Sequence, residues 1–173
     1  MKTSNTQIPL SKRPYRSCVG LMVFNKEGKV FCGQRLDNKA EAWQLPQGGI
    51  DKGETPIEAG FRELKEETSI VSVQFISEYP EWLNYEIPLQ LANSLWNGMY
   101  RGQSQRWLLF SFTGDNKEID ISTQNPEFKN WEWIKPEQLP LKAISFKKEV
   151  YVKITKAFIP ILNNFNASKL EER

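Results

Sequence analysis

The stretch that most constrains the fold is 48–70, GGIDKGETPIEAGFRELKEETSI, because it specifies a helix and a charge problem together. Thr55 is a good N-cap, Pro56 suits the first helical position, and Glu58 falls three residues after Thr55 to close a capping box. Ile57, Phe61, Leu64 and Thr68 recur at i, i+4, i+7 and i+11, which predicts a helix over about 56–68 with one core-facing stripe. Glu63 and Glu67 then stand one turn apart with Glu66 beside them, on a face turned away from that stripe. Like charges at this spacing repel, and with Glu54 just upstream the local cations are Arg62 and Lys65. Such a patch is either solvated or binds a metal ion. The preceding Gly48-Gly49-Ile50-Asp51-Lys52-Gly53 is a glycine-punctuated loop whose backbone can approach a ligand closely and turn carbonyls toward a cation.

The 173 residues include no histidine, which removes Ser-His-Asp, Cys-His and histidine-ligated zinc chemistry. Acid-base work then falls to carboxylates, lysine or tyrosine. Metal ligands must be oxygen, which favours Mg2+ or Mn2+ over zinc or copper. The two cysteines, Cys18 and Cys32, sit in predicted strands. With the hairpin turn at Asn25-Lys26-Glu27-Gly28, Cys18 faces roughly Arg35 and Cys32 roughly Leu21, so free thiols are expected.

A net charge of +2 is too small for a general nucleic-acid coat. The basic residues near Arg16, Arg101 and Lys147 suit a short anionic ligand better than a long duplex, and no DNA partner is expected. No run of eighteen apolar residues is present, and Met1 to Pro14 lacks the apolar core of a signal peptide. A cytoplasmic protein with no membrane partner is the expectation. Which protein partner it has, if any, is not encoded in these patterns.

Along the chain, 1–14 reads as a flexible arm, 15–162 as a single domain and 163–173 as a polar tail. Ser17 to Asn25 and Lys29 to Arg35 form a predicted hairpin, and Asp37 to Glu41 a polar loop. Val71 to Tyr79, Trp82 to Ile87, Arg106 to Thr113 and Trp131 to Ile134 read as strands, with Trp131 and Trp133 at least partly in the core. Gln90 to Gly102 reads as a long loop, and Ser145 to Leu162 as the second long helix. Strands with one helix in the middle and one at the end predict an α/β sandwich.

The spacing from Gly48 through Glu54 and Arg62-Glu63-Leu64-Lys65-Glu66-Glu67 to Ile70 resembles the signature of the Nudix hydrolases. One position departs from it: Ser69 stands where glycine usually serves a left-handed helix end, at a cost of about 1 kcal/mol if that conformation is kept. Trp43 to Gly49, Trp82-Leu83-x-Tyr85, Gly102-Gln103-x-Gln105-Arg106-Trp107, Pro126-Glu127-Phe128 and Ser145-Phe146-Lys147-Lys148 resemble the bacterial RNA pyrophosphohydrolase branch of that family, which overlaps with the asymmetric diadenosine-tetraphosphate hydrolases.

The resemblance implies a Nudix-type α/β/α sandwich, with a mixed β-sheet between helices. It implies more than one divalent cation, Mg2+ or Mn2+, held by the Gly48 carbonyl, Glu63, Glu66, Glu67 and Glu127. Arg62 would orient glutamates, and Glu66 and Glu127 are candidates for the general base. Arg16, Arg35, Tyr85, Gln103 and Gln105 would meet phosphates or terminal nucleotides, with Ile144, Phe146 and Lys147 near a base. By the residues alone Tyr85 could equally be core, Phe146 is more often core than a base-stacking ring, Glu127 could be a turn residue, and the glutamines are more often plain surface. The activity implied is conversion of 5′-triphosphate or diphosphate RNA ends to 5′-monophosphate ends, promoting RNA decay. Hydrolysis of diadenosine tetraphosphate is the alternative, and a non-catalytic nucleotide-binding domain a third reading disfavoured by the intact glutamates.

Overall fold

The computed structural model describes residues 8–37 and 42–171. The start of the expected arm and most of the expected 37–41 loop lie outside these. In chain order the elements are β1 (Tyr15–Phe24), β2 (Val30–Arg35), β3 (Trp43–Gln44), β4 (Gln47–Gly49), α1 (Pro56–Thr68), β5 (Val73–Glu78) and β6 (Leu83–Glu86). They continue as α2 (Leu89–Ser94), β7 (Gly102–Phe112), β8 (Phe128–Ile134), α3 (Leu139–Lys142) and α4 (Lys148–Glu171).

The strands form one mixed sheet whose spine is the parallel pair β1 and β7, in register from Tyr15 opposite Gly102 to Phe24 opposite Ser111. The later halves of both strands, Cys18 to Phe24 and Trp107 to Phe112, are nearly continuous apolar runs, as a sheet covered on both faces requires. Alternation sorts their side chains into two cores. Val19, Leu21, Val23, Leu108 and Phe110 face Ala59 and Leu64 of α1. Met22, Phe24, Trp107 and Leu109 face Val150, Tyr151, Ile154, Phe158 and Leu162 of α4. The sheet therefore lies between helices, an α/β/α sandwich. Each such fully buried large side chain contributes roughly 1.5–3 kcal/mol from removal of apolar surface from water.

Helix α1 begins as its sequence dictates. The Glu58 amide donates to Thr55 Oγ1 at 3.2 Å, and the Thr55 amide donates back to Glu58 Oε2 at 2.8 Å. Its buried face is Ala59, Gly60, Leu64, Glu67 and Thr68, rotated from the expected stripe. Phe61 keeps an edge-on contact with Phe110, ring centroids 5.1 Å apart, yet is 41% exposed. Glu67, expected to point away from the core, is buried. The helix ends at Ser69, which holds the left-handed conformation (φ 62, ψ 2) while its hydroxyl donates to the Asp120 carbonyl at 2.9 Å.

Four further expectations change. The 90–102 stretch contains α2 and a 3-10 turn, Leu95–Gly98, rather than an irregular loop. Before β1, Leu10–Lys12 forms a 3-10 turn, and buried Arg13 donates to the carbonyls of Ile8 and Ala92 and to Asn93 Oδ1. Helix α4 runs through the residues expected as a polar tail, because Phe165 packs edge-on against Phe24 at 5.7 Å and extends the apolar face past Pro160. Finally, β1 pairs with β2 only beside the turn, Phe24 opposite Val30, before β4 takes that edge with Cys18 opposite Gly49. Cys32 lies opposite Glu132 of β8 instead of Leu21. Both cysteines are nonetheless free, as expected, and both are buried.

Candidate active site

Where β1 and β7 start, β4, α1, strand β6 and the turn leading into α4 converge on a cleft of about 620 Å³. Among its walls are Gly48, Glu63, Glu67 and Glu127, the cations Arg16, Arg35 and Lys147, and Tyr85, Gln103, Ile144 and Phe146. Eleven of the residues singled out by sequence thus meet in one place. Glu66, Arg62 and Gln105 do not line it.

Arg62 organises the acidic side. Its Nε and one terminal nitrogen each donate to Glu54 at 2.8 Å, a bidentate pair. The same guanidinium reaches Glu63 Oε1 at 2.8 Å, exposed Glu66 Oε2 at 3.3 Å and the Gly49 carbonyl at 2.8 Å. Hydrogen bonding from Arg62 holds the Glu54 carboxyl down at about 2. Burial raises the Glu63 carboxyl despite the same partner. Glycine at 48 is required by this packing: a Cβ there would lie 1.9 Å from the Glu63 carboxyl carbon.

Glu67 is the exception. It is 7% exposed, accepts the Gln47 amide at 3.1 Å, and makes no ion pair among the described residues. Burial first, then the charge of Glu127, pushes its carboxyl well above the usual range. A divalent cation would reverse both penalties, since hard cations take carboxylate oxygen ligands. Among the described residues no three acidic or cysteine side chains are already gathered as a metal cage, because Arg62 occupies Glu54, Glu63 and Glu66. The donor set nevertheless fits a hard cation: Glu67, Glu63 and Glu127 share the cleft with the Gly48 backbone, while exposed Glu66 stands outside it, bonded to Arg62.

Opposite stands a buried polar lattice. Lys147 Nζ donates to Gln44 Oε1 at 2.8 Å and Gln47 Oε1 at 3.2 Å, and burial brings its pKa down to about 7. Gln105, 1% exposed, sits behind the wall and donates to Gln47 Oε1 at 3.1 Å and Gln103 Oε1 at 2.9 Å. It orients the amides that face the cleft and does not face it itself. Arg35 donates to Gln44 Oε1 at 3.0 Å and to Asp37 at 2.7 Å. The Tyr85 and Phe146 rings stack at 5.8 Å, so both residues are packed and lining at once.

Sequence reasoning missed Gln44, Gln47, Leu91, Leu95 and Trp96 as cleft residues. Gln44 and Gln47 are three residues apart on either side of Leu45-Pro46, so no strand alternation marks them as sharing one face. The others lie in the 3-10 turn and short helix that read as loop.

The NUDIX domain family profile matches residues 14–154. RNA pyrophosphohydrolase of Cereibacter sphaeroides (strain KD131 / KCTC 12085) is 45% identical over 151 residues, 86% of this chain and 93% of that protein. The protein of the same name from Bartonella clarridgeiae is 46% identical over 165 residues, 89% of this chain and 95% of that protein. Among solved structures, the E. coli dihydroneopterin triphosphate pyrophosphohydrolase superposes with a TM-score of 0.63 at 18% identity, covering 84% of this chain and 99% of that one. A C. elegans Ap4A hydrolase binary complex superposes at 0.58 and 22% identity, covering 83% and 98%. At those identities the structural likeness concerns the fold. Nudix hydrolases generally use divalent cations, in keeping with the oxygen donors of the cleft. The chain belongs to the Nudix hydrolase family.

Proposed function

We propose that this chain hydrolyses the 5′-terminal triphosphate or diphosphate of RNA, leaving a 5′-monophosphate end and thereby promoting RNA decay. The observation that carries this is one cleft holding a carboxylate wall, three cations and an aromatic stack together. Water attacks phosphorus, the phosphoanhydride P–O bond breaks, and pyrophosphate or orthophosphate leaves. Mg2+ or Mn2+ bound by Glu63, Glu66, Glu67, Glu127 and the Gly48 carbonyl would neutralise phosphate oxygens and lower the pKa of water. Arg16, Arg35 and Lys147 meet the phosphate charge, with Gln103 and Gln47 as neutral donors. Tyr85, Phe146 and Ile144 supply the surface for a terminal base. Of the two candidates for general base, Glu127 is the better placed, since it lines the cleft whereas Glu66 is held outside it by Arg62.

The names of the bacterial relatives at 45–46% identity support the RNA end as substrate. No helix among the described residues is long and apolar enough to cross a membrane, and an RNA substrate supports a cytoplasmic site of action. Dinucleoside polyphosphate hydrolysis is the competing reading, because the Tyr85–Phe146 stack suits a base from either substrate. A competition assay decides between them. A higher kcat/KM on triphosphorylated RNA than on diadenosine tetraphosphate supports the first, and the reverse order overturns it.

A further inference from the structure

Trp96 stands in an improbable backbone. Trp96 (φ 49, ψ 36), Asn97 (φ 55, ψ 28) and Gly98 (φ 70) are three successive left-handed residues. For the two that are not glycine this costs roughly 1–2 kcal/mol each, so the surroundings must hold the turn in place. They do so from both ends: buried Arg13 fastens α2 at Ala92 and Asn93, and the Trp96 ring meets Tyr100 edge-on at 6.0 Å. The result is an indole on the wall of the cleft, with the Arg16 guanidinium over its ring at 5.5 Å.

Arg16 itself is otherwise lightly held. It forms no ion pair among the described residues, and its one side-chain hydrogen bond is a long contact, 3.6 Å, to Cys18 Sγ. It lies so close to β4 that a Cβ on Gly49 would come within 2.3 Å of its terminal nitrogen. An arginine with no carboxylate to fix it needs another surface, or it swings among rotamers and toward Glu63. An aromatic face supplies attraction while leaving every N–H free to donate.

We propose that Trp96 is a positioning residue, which holds Arg16 unpaired and aimed into the cleft for phosphate oxygens. This rests on the reading above that Arg16 meets the phosphates. The left-handed turn is the device that delivers an indole to that spot, and it explains why so strained a turn is anchored from both ends.

The test uses the full chain and inorganic tripolyphosphate in magnesium buffer, with binding measured by titration calorimetry. Trp96→Leu keeps the apolar bulk and removes the π face, whereas Trp96→Tyr keeps both. Trp96→Leu should bind about tenfold more weakly, the range a partly desolvated cation–π contact gives, and Trp96→Tyr within about threefold of wild type. Arg16→Ala combined with Trp96→Leu should be no weaker than Arg16→Ala alone. In turnover Trp96→Leu should raise KM with kcat nearly unchanged. Equal binding by the Leu and Tyr variants, losses that multiply in the double variant, or no binding by wild type overturns the proposal. Failure of the RNA reading alone looks different: the same Trp96 dependence with tripolyphosphate, but no hydrolysis of RNA ends.

Discussion

The backbone amide of Gln47 donates to the Glu67 carboxylate at 3.1 Å, tying the strand before the glycine loop to the last turn of α1. That bond offsets only part of the desolvation of Glu67, whose carboxyl stays well above its ordinary range. The site thus buries a carboxyl whose charged form is disfavoured, and we propose that relief of this penalty by a cation is the source of metal affinity.

Replacing Glu67 by Gln should raise the melting temperature of the metal-free protein and abolish the further rise that magnesium gives wild type. The sign follows from linkage: a carboxyl with a raised folded-state pKa favours the fold below its unfolded value near 4.5, and that advantage is lost as pH rises through the folded pKa. Above pH 4.5 the raised pKa is therefore a cost to the fold, and an amide, which does not titrate, removes it. Turnover should fall by more than about 100-fold, beyond the usual cost of losing an outer partner of a metal ligand. Thermal scans with and without magnesium, and rates beside them, check both.

Arg62→Lys should behave as a severe substitution, because one ammonium cannot replace a bidentate hold on Glu54 together with bonds to Glu63 and Gly49. The Glu54 pKa of about 2 means this interaction stabilises the fold above pH 4.5 and is lost as pH falls toward 2. Acid unfolding of the variant should accordingly start at a higher pH than in wild type, followed by circular dichroism.

Lys147→Met should lower nucleotide binding while flattening the alkaline limb of stability. Burial brings the Lys147 pKa to about 7 from the ordinary 10.5, so the unfolded chain holds the extra proton between those values. Stability of wild type thus gains from Lys147 as pH rises from 7 to 10.5, and the Met variant lacks that increment. Urea midpoints across this range read the difference.

Ser69 separates two effects at one helix end. Ser69→Ala keeps the left-handed strain and loses the hydroxyl bond to Asp120, costing about 1 kcal/mol. Ser69→Gly loses the same bond but relieves strain of about the same size, so its stability should match wild type. Denaturant titration of the two variants distinguishes them.

The α1 motif was legible because capping, periodicity and charge spacing are local: Thr55, Glu58 and Arg62 do what their neighbours in the chain demand. The residues recruited from Arg16 to Lys147 became legible only through resemblance, since β4 beside β1 and β6 beside β7 bring them together over long separations. Burial of Glu67 was not visible, because its carboxylate is covered by Gln47 from another strand. Trp96 escaped for a similar reason: its left-handed turn has no periodic signature, and Arg13, whose hold on it is non-local, read as part of a flexible arm.

The central claim is metal-dependent cleavage at the terminal phosphates of RNA, and the most direct measurement follows the products from 5′-labelled triphosphate RNA. With magnesium the account predicts a 5′-monophosphate RNA and released pyrophosphate or orthophosphate, with the reaction stopped by EDTA and restored by added metal. An unchanged triphosphate end with magnesium present, or cleavage that continues in EDTA, contradicts it.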